Sequence, residues 1–276
     1  MSSPSDAASN AMISSTKRVL RWSGSAAPET ADDELAIEEP LEIQVETRPI
    51  SVTMRTPGRD EELAAGFLIT EGVLDHPDQI RAIRPYPRNE KGNAINVLLR
   101  EDVSVDLARL TRHVFSSSSC GLCGKATIDA IHARFPPIAS NLSLAASILR
   151  QLPARMRAGQ ASFDRTGGLH AAALMDTEGR MLVLREDIGR HNAVDKVLGH
   201  ALLKGEIDTS RTLLLVSGRT SFEILQKSLA GKIPIIASVS APSSLAVEFA
   251  EASGQTLVGF LREDRFNVYA HAHRIH

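Results

Sequence analysis

Along residues 35–58, LAIEEPLEIQVETRPISVTMRTPG, apolar and polar positions alternate. A period of two marks half-buried strands, which places Ile43, Val45, Val52 and Met54 in such strands. Pro57-Gly58 reads as a turn. The next stretch, RDEELAAGFLITEGVL, opens with acids and carries Leu63, Phe67 and Leu68 on one stripe. That is a helix whose first turn complements its dipole. INVLL at 95–99 is a further strand. The N-terminal part is therefore expected to be small and α+β.

The second half is more regular. GLHAAALMDTEGRMLVLRED reads as two strands around a turn at Thr177–Gly179. HNAVDKVLGHALLKG is a helix closed by Gly205. Then come a buried strand (TLLLVS), a helix ended by Gly231 and a strand (IPIIASVS). A helix ended by Gly254 and a last strand (TLVGFL) follow. Strands alternating with helices of this length imply a partly parallel sheet with helices on its faces. LLLVSGRTSFEIL and IIASVSAPSSLAVEF echo each other as strand, small polar turn, Ser cap and helix. The echo puts two helix N-termini at one end of the sheet, where anions are favoured and ligands of parallel sheets gather.

Composition narrows the class. The chain has 31 Lys+Arg against 33 Asp+Glu, a net charge of −2, which argues against nucleic-acid binding through bulk charge. Hydrophobic residues make up 43%, as in an ordinary globule. No apolar run approaches the roughly 18 residues of a membrane span. Residues 1–16 are small and polar and read as a disordered tail rather than a signal peptide. The expected organisation is this tail, a small α+β domain at 17–112, a mobile loop at 113–125 and an α/β domain at 126–276.

That loop holds the only two cysteines, in SSSSCGLCGK at 116–125. Two cysteines make no secreted disulfide framework, which argues for the cytoplasm. Cys120 and Cys123 sit among Ser and Gly, and Lys125 opens an apparent helix, KATIDAIHARF. A helix N-terminus and a lysine both favour the thiolate, so the motif reads as an exposed, nucleophilic, movable thiol. Two alternatives stay open: half a zinc site completed by His113 or His132, although a zinc ribbon needs a second CxxC, and a thioredoxin-like dithiol, although that motif directly follows a strand.

Other candidates lie at the sheet end. REDIGRHNAVDK crowds charge at a strand-to-helix junction and includes Arg185, Arg190 and His191, the last expected to stay neutral. Ser217, Gly218 and Arg219 put a guanidinium on a glycine turn, suited to phosphate. Arg262 and Arg265 follow the last strand. His170 follows Gly167-Gly168, where a packed core histidine is the plainer reading. Neither GxGxxG nor a P-loop is present. The concentration of arginine in a slightly acidic chain suggests a ligand with several phosphates.

EEPLEI, VTMRTPGRDEELAAGFL, SSSSCGLCGKATI, GGLHAAAL, REDIGRHNAVDK, LLVSGRTSFEI, SAPSSLAVEFA and LVGFLREDRFNVY, in that order, resemble the formate dehydrogenase accessory sulfurtransferases from about residue 37 to the C-terminus. The resemblance implies a larger C-terminal domain similar to the cytidine deaminase-like fold. H-x-E and P-C-x-x-C are missing, with Ser119 before Cys120, so deamination is not implied. It implies instead that a cysteine desulfurase hands sulfur to Cys120 as a persulfide, with Cys123 supporting. The sulfur then passes to the molybdenum, or tungsten, of a bis(molybdopterin guanine dinucleotide) cofactor bound as substrate and destined for formate dehydrogenase. The resemblance further implies that GDP would mimic that substrate. Phe260, Leu261, Arg262, Glu263, Asp264 and Arg265 match the family's cofactor-binding segment, with the Glu-Asp pair a departure from a purely basic site. His170, Arg190, His191, Ser217 and Arg219 are further candidate contacts, and a cytoplasmic homodimer is expected. The competing readings are a cofactor chaperone whose cysteines are structural or zinc-bound, and a dithiol oxidoreductase.

Overall fold

The computed structural model describes residues 13–24, 26–86, 92–103, 128 and 131–276. Cys120, Cys123, His113 and Lys125, and with them the expected mobile loop, lie outside these residues. Among the described residues, the chain forms a two-stranded, a four-stranded and a six-stranded sheet. The class is mixed α/β.

The two-stranded sheet is a hairpin, β1 (Ser14–Arg21) with β2 (Glu29–Ala36). Ser14, Ser15 and Thr16, expected in the tail, begin its first strand. The pairing sets Arg18 opposite Asp32 and Lys17 opposite Asp33, so cross-strand charge rather than an apolar face supports it.

Next come β3 (Glu39–Val45), β4 (Arg48–Arg55), β5 (Ile80–Pro85) and β6 (Ala94–Leu99), ordered β4-β3-β6-β5, with β3 and β6 parallel. Leu41, Ile43, Val45, Ile50 and Val97 form one face of this sheet and pack on helix α1 (Asp60–Thr70). Val52 and Met54 do not join them: they point outward, 62% and 46% exposed, paired with Glu42 and Pro40, while a bulge in the β3–β4 register leaves Ile50 unpaired and turns it inward. The helix is buried nearly all round, not on a single stripe. Leu63 and Leu68 face the sheet, and the opposite side of α1 meets α5 (Arg190–Lys204). There Gly66 and Gly199 let the backbones touch: a Cβ on Gly66 would lie 1.9 Å from the Asp195 carbonyl oxygen, and one on Gly199 would lie 1.8 Å from that of Glu62. No side chain fits between the two helices.

The six-stranded sheet contains β7 (His170–Met175), β8 (Met181–Asp187), β9 (Leu213–Val216), β10 (Ile235–Ser238), β11 (Thr256–Gly259) and β12 (Asn267–Ala270), ordered β12-β11-β10-β9-β7-β8. Strands β9, β10 and β11 are parallel, and the outer ones run antiparallel to their neighbours. Both faces are covered. Ala171, Ala173 and Met175 pack toward the single turn α2 (Ala146–Leu149) and α3 (Leu152–Ala158), the alternate residues Ala172 and Leu174 toward α5. Helices α6 (Phe222–Ala230) and α7 (Ser244–Ser253) cover Ile236 and Leu257 on that second side. A short helix α4 (Ala161–Thr166) leads into β7.

Candidate functional site

Much of the charge read as a ligand site is buried structure. Lys196 pairs with Asp187 at 2.7 Å and donates to the Thr56 carbonyl at 2.9 Å. Asp187 also accepts from the Thr56 and Gly189 amides and from Asn192, which in turn donates to the Met54 carbonyl. This knot ties the β4–α1 connection to the end of β8. Arg185 is likewise withdrawn from the sheet edge, pairing with Glu62 and lying 3.0 Å from His200. Burial pushes the Glu62 carboxyl up, but the hydrogen bonds and charges of Arg185 and His200 hold it below the usual range. Lys227 sits between Asp195 (3.0 Å) and Glu71 (2.8 Å). Burial acts against its charge, yet the two carboxylates hold its pKa above the usual lysine range. Asp195, fully enclosed and near the Glu71 charge, is pushed up to about 6.

What remains at the sheet end is a platform of three turns. After β9 come Ser217, Gly218 and Arg219; at the end of β10, Ser238 to Ser240; after β11, Phe260 to Arg265. Main-chain bonds join them side by side. Thr220 N donates to Ala241 O, Ser243 N to Thr220 O, Phe260 N to Ser240 O and Leu261 N to Ser238 O, at 3.0–3.1 Å. The Ser238 hydroxyl donates to the Gly218 carbonyl at 2.7 Å and accepts from Ser240 N. Ser217 exchanges main-chain and hydroxyl bonds with Ala171, its Oγ accepting at 2.9 Å, so its hydroxyl proton stays available.

The expected residues divide on this platform. His170, at the start of β7, lies against Gly218, where a Cβ would come within 3.1 Å of its Nδ1 and 3.6 Å of Arg190 Cβ. That contact explains a glycine between Ser217 and Arg219. His170 is held below its usual pKa by burial and by the Arg190 and Arg219 charges, Asp187 opposing. Arg190 Nε is buried with no hydrogen-bond partner among the described residues. An unpaired buried donor carries an energetic penalty that an acceptor would relieve. His191, on the next position of α5, is pushed down to about 4 by burial first and then by Arg190 and Lys227. It stays neutral near pH 7, as expected. Its Nε2 is 3.4 Å from Ser221 Oγ. Ser221 does not cap α6 with its side chain, whereas Ser243 does cap α7, accepting from Ala246 N at 3.2 Å.

On the third turn, Phe260 is 44% exposed and holds a left-handed backbone, φ 52°. Non-glycine residues held there are strained and tend to mark functional positions. Leu261 is buried. The Arg262 amide donates to the Arg265 carbonyl at 2.8 Å, closing a tight turn, and its guanidinium donates to the Val239 and Leu261 carbonyls. Arg262, Glu263, Asp264 and Arg265 are all exposed at the tip.

Beside this platform runs a groove of about 1230 Å³, bounded by α3, α4, His170, Ser217 and the 261–264 turn. Its far wall, with Arg157 and Phe163, went unread in the sequence: α3 and α4 are too short for a clear helical period. His132, weighed as a zinc ligand, packs 5.6 Å from the Phe249 ring, its Nε2 buried without a hydrogen-bond partner among the described residues. The described residues include no cluster of three or more His, Cys, Asp or Glu able to hold a metal, and no helix long and apolar enough to cross a membrane.

Residues 36–276 match the model of the FdhD/NarQ family. The chain is 48% identical to the sulfur carrier protein FdhD of Streptomyces avermitilis, over 95% of this chain and 96% of that one. It is 49% identical to the protein of that name from Mycobacterium tuberculosis, over 89% and 93%, and 44% identical to that of Thermoplasma volcanium, over 89% and 90%. A crystal structure from Desulfotalea psychrophila, provisionally assigned as a formate dehydrogenase accessory protein, superimposes with a TM-score of 0.75 at 28% identity, covering 96% of this chain and all of that one. On the sequence match across nearly its whole described length and on this structural likeness, the chain belongs to the FdhD/NarQ family.

Proposed function

We propose that the protein is a cytoplasmic sulfur carrier for formate dehydrogenase maturation, loading Cys120 with sulfane sulfur from a cysteine desulfurase. The sulfur passes to the metal of a bis(molybdopterin guanine dinucleotide) substrate at the sheet edge. The observation that carries this reading is the platform: three main-chain-linked turns presenting Arg219, Arg262 and Arg265, beside Arg190 and neutral His191 at the start of α5 and neutral His170 at the start of β7, next to an open groove. A ligand with several phosphates fits such an edge, where the N-termini of α5, α6 and α7 add amide dipoles.

The chemistry balances without an external oxidant. The Cys120 thiolate attacks the outer sulfur of the desulfurase persulfide, giving a Cys120 persulfide and a desulfurase thiol. Attack of the Cys123 thiolate on the inner sulfur then releases sulfide for the metal and leaves a Cys120–Cys123 disulfide. The mixed sheet flanked on both faces supports the expected likeness to the cytidine deaminase-like fold. Exposed Leu20, Trp22, Val52 and Met54 favour a homodimer.

The deciding experiment is intact mass after incubation with a cysteine desulfurase and cysteine. A gain of one sulfur, mapped to the Cys120 peptide and absent in Cys120→Ala, is expected. A Cys120→Ala protein that still activates formate dehydrogenase refutes the carrier reading. In that case metal analysis and thiol titration decide whether the cysteines hold zinc.

A further inference from the structure

Away from the platform, a second groove of about 990 Å³ runs along β5, closed on its far side by the first turn of α1 and the end of α5. β5 is an outer strand. β6 pairs with it on one side and, among the described residues, no strand pairs with it on the other. The main-chain groups of such an edge accept an added strand. Pro85 has no N–H to offer, so added pairing ends there.

The side chains say what kind of strand fits. Ile80 and Ile83 stand opposite Leu99 and Val97 of the core face, whereas Arg84 stands opposite Asn96 on the outer face and Arg81 lies in the bulge. Ile80, Ile83 and Leu202 are only partly buried against the core of the small sheet, and Leu203 beside them is exposed. The acids of the groove are mostly engaged: Asp60 by Arg55, Glu62 by Arg185, and Asp78 beside His76 at 3.1 Å. Arg81 and Lys204 in the groove, and Arg84 on the outer face, form no ion pair among the described residues, against Glu61 alone of the acids. The surplus is positive. Opposite charges across paired strands stabilise the pairing, so the complementary strand alternates apolar and acidic residues.

We propose that β5 is a docking edge for an extended segment of the client formate dehydrogenase, added as a further strand, with apolar side chains turned inward to Ile83 and Leu203 and acidic ones toward Arg81, Arg84 and Lys204. This deepens the proposed function and rests on it. A polypeptide still waiting for its cofactor is incompletely folded, and incompletely folded chains expose strands that have not found their neighbours.

The test is hydrogen–deuterium exchange on the full chain, alone and with cofactor-free formate dehydrogenase, together with the affinity of that complex. Exchange at Ile80 to Arg84 should slow in the complex. The affinity should fall as salt is raised, because the charges are exposed. The Arg81→Glu, Arg84→Glu double variant should bind roughly 10-fold more weakly or worse, since it sets like charges face to face. The same variant should still gain one sulfur at Cys120 from the desulfurase, which reports that it is folded. No complex with the wild type, unchanged exchange along β5 in a complex that forms, or undiminished affinity of the double variant overturns the docking edge and leaves the arginines as charges that blunt an open strand. Protection of β5 that grows with the concentration of the free chain gives the edge to a second copy and overturns the client assignment, as does protection by the desulfurase instead. A wild-type chain that gains no sulfur at Cys120 brings down the carrier reading, whereas a normal gain with no change at β5 brings down this inference alone.

Discussion

Asp187 and Lys196 form an ion pair at 2.7 Å with 0% and 2% of their side chains exposed, the lysine reaching on to the Thr56 carbonyl. An interaction that encloses both charges is stabilising only while both are present. Lys196→Met should therefore destabilise the fold by about 3–5 kcal/mol, because it leaves an unpaired buried carboxylate. The double variant with Asp187→Asn should recover part of that loss. Chemical denaturation of the three proteins measures both effects, and a single variant as stable as wild type would show that the knot contributes nothing.

The α1–α5 contact sets helix propensity against packing. On propensity alone, Gly199→Ala should stabilise a helix interior by about 1 kcal/mol. The new methyl group would instead meet the Glu62 carbonyl oxygen at 1.8 Å. Separating two buried helices should cost at least the ~1–3 kcal/mol typical of overpacking. The expected outcome is a lower thermal midpoint for Gly199→Ala, read by calorimetry or circular dichroism.

His191 links stability to pH. Burial depresses its pKa from 6.5 to about 4, with Arg190 and Lys227 reinforcing the shift and Glu223 and Glu71 opposing it. In the unfolded chain it takes up its proton near 6.5, so acid favours the unfolded state. Its contribution is complete above that pH and is lost as pH falls toward 4. Asp195, raised to about 6, works in the opposite sense between about 6 and 3.8. The contrast between wild type and His191→Gln isolates the histidine: the variant should lose less stability between pH 6.5 and 4.5. Ring resonances of His191 should show no titration above about pH 5.

Arg262 and Arg265 flank the same turn but are held differently. The Arg262 guanidinium is fixed by two carbonyls, whereas Arg265 gives the turn only its main-chain oxygen. Replacing either with alanine should weaken GDP binding by about 1.5–3 kcal/mol, the range for a charge-assisted bond. The pre-organised Arg262 should show the larger loss by calorimetry. Unchanged binding in both variants would remove the turn from the site.

The regular half of the chain was legible because its strands are short apolar runs between helices that end at glycine. Gly205 and Gly254 do take the left-handed conformation, φ 66° and 71°. Gly231 does not; Lys232 adopts it instead, at φ 58°. The hairpin β1–β2 was hidden because it has no apolar face to announce it. Val52 and Met54 share the parity of buried Ile50, and the bulge that reverses the phase between them leaves no mark in the alternation. Within REDIGRHNAVDK, Arg185, Asp187 and Lys196 looked like ligand contacts because a buried charge and an exposed one read alike, and the partner that identifies the knot, Thr56, lies 131 residues from Asp187, whereas Arg190 and His191 do lie at the sheet end. The arginines beyond the last strand and the serine-glycine turn were readable because topology gathers the ends of parallel strands together.

The cross-linking of the three turns has a mechanical consequence. Joined by backbone hydrogen bonds, they hold together as a plank rather than as separate fingers, and the shape of that surface is set by the main chain more than by the side chains at its tips. Exposed tips such as Glu263 and Asp264 can thus be exchanged while the surface behind them stays the same.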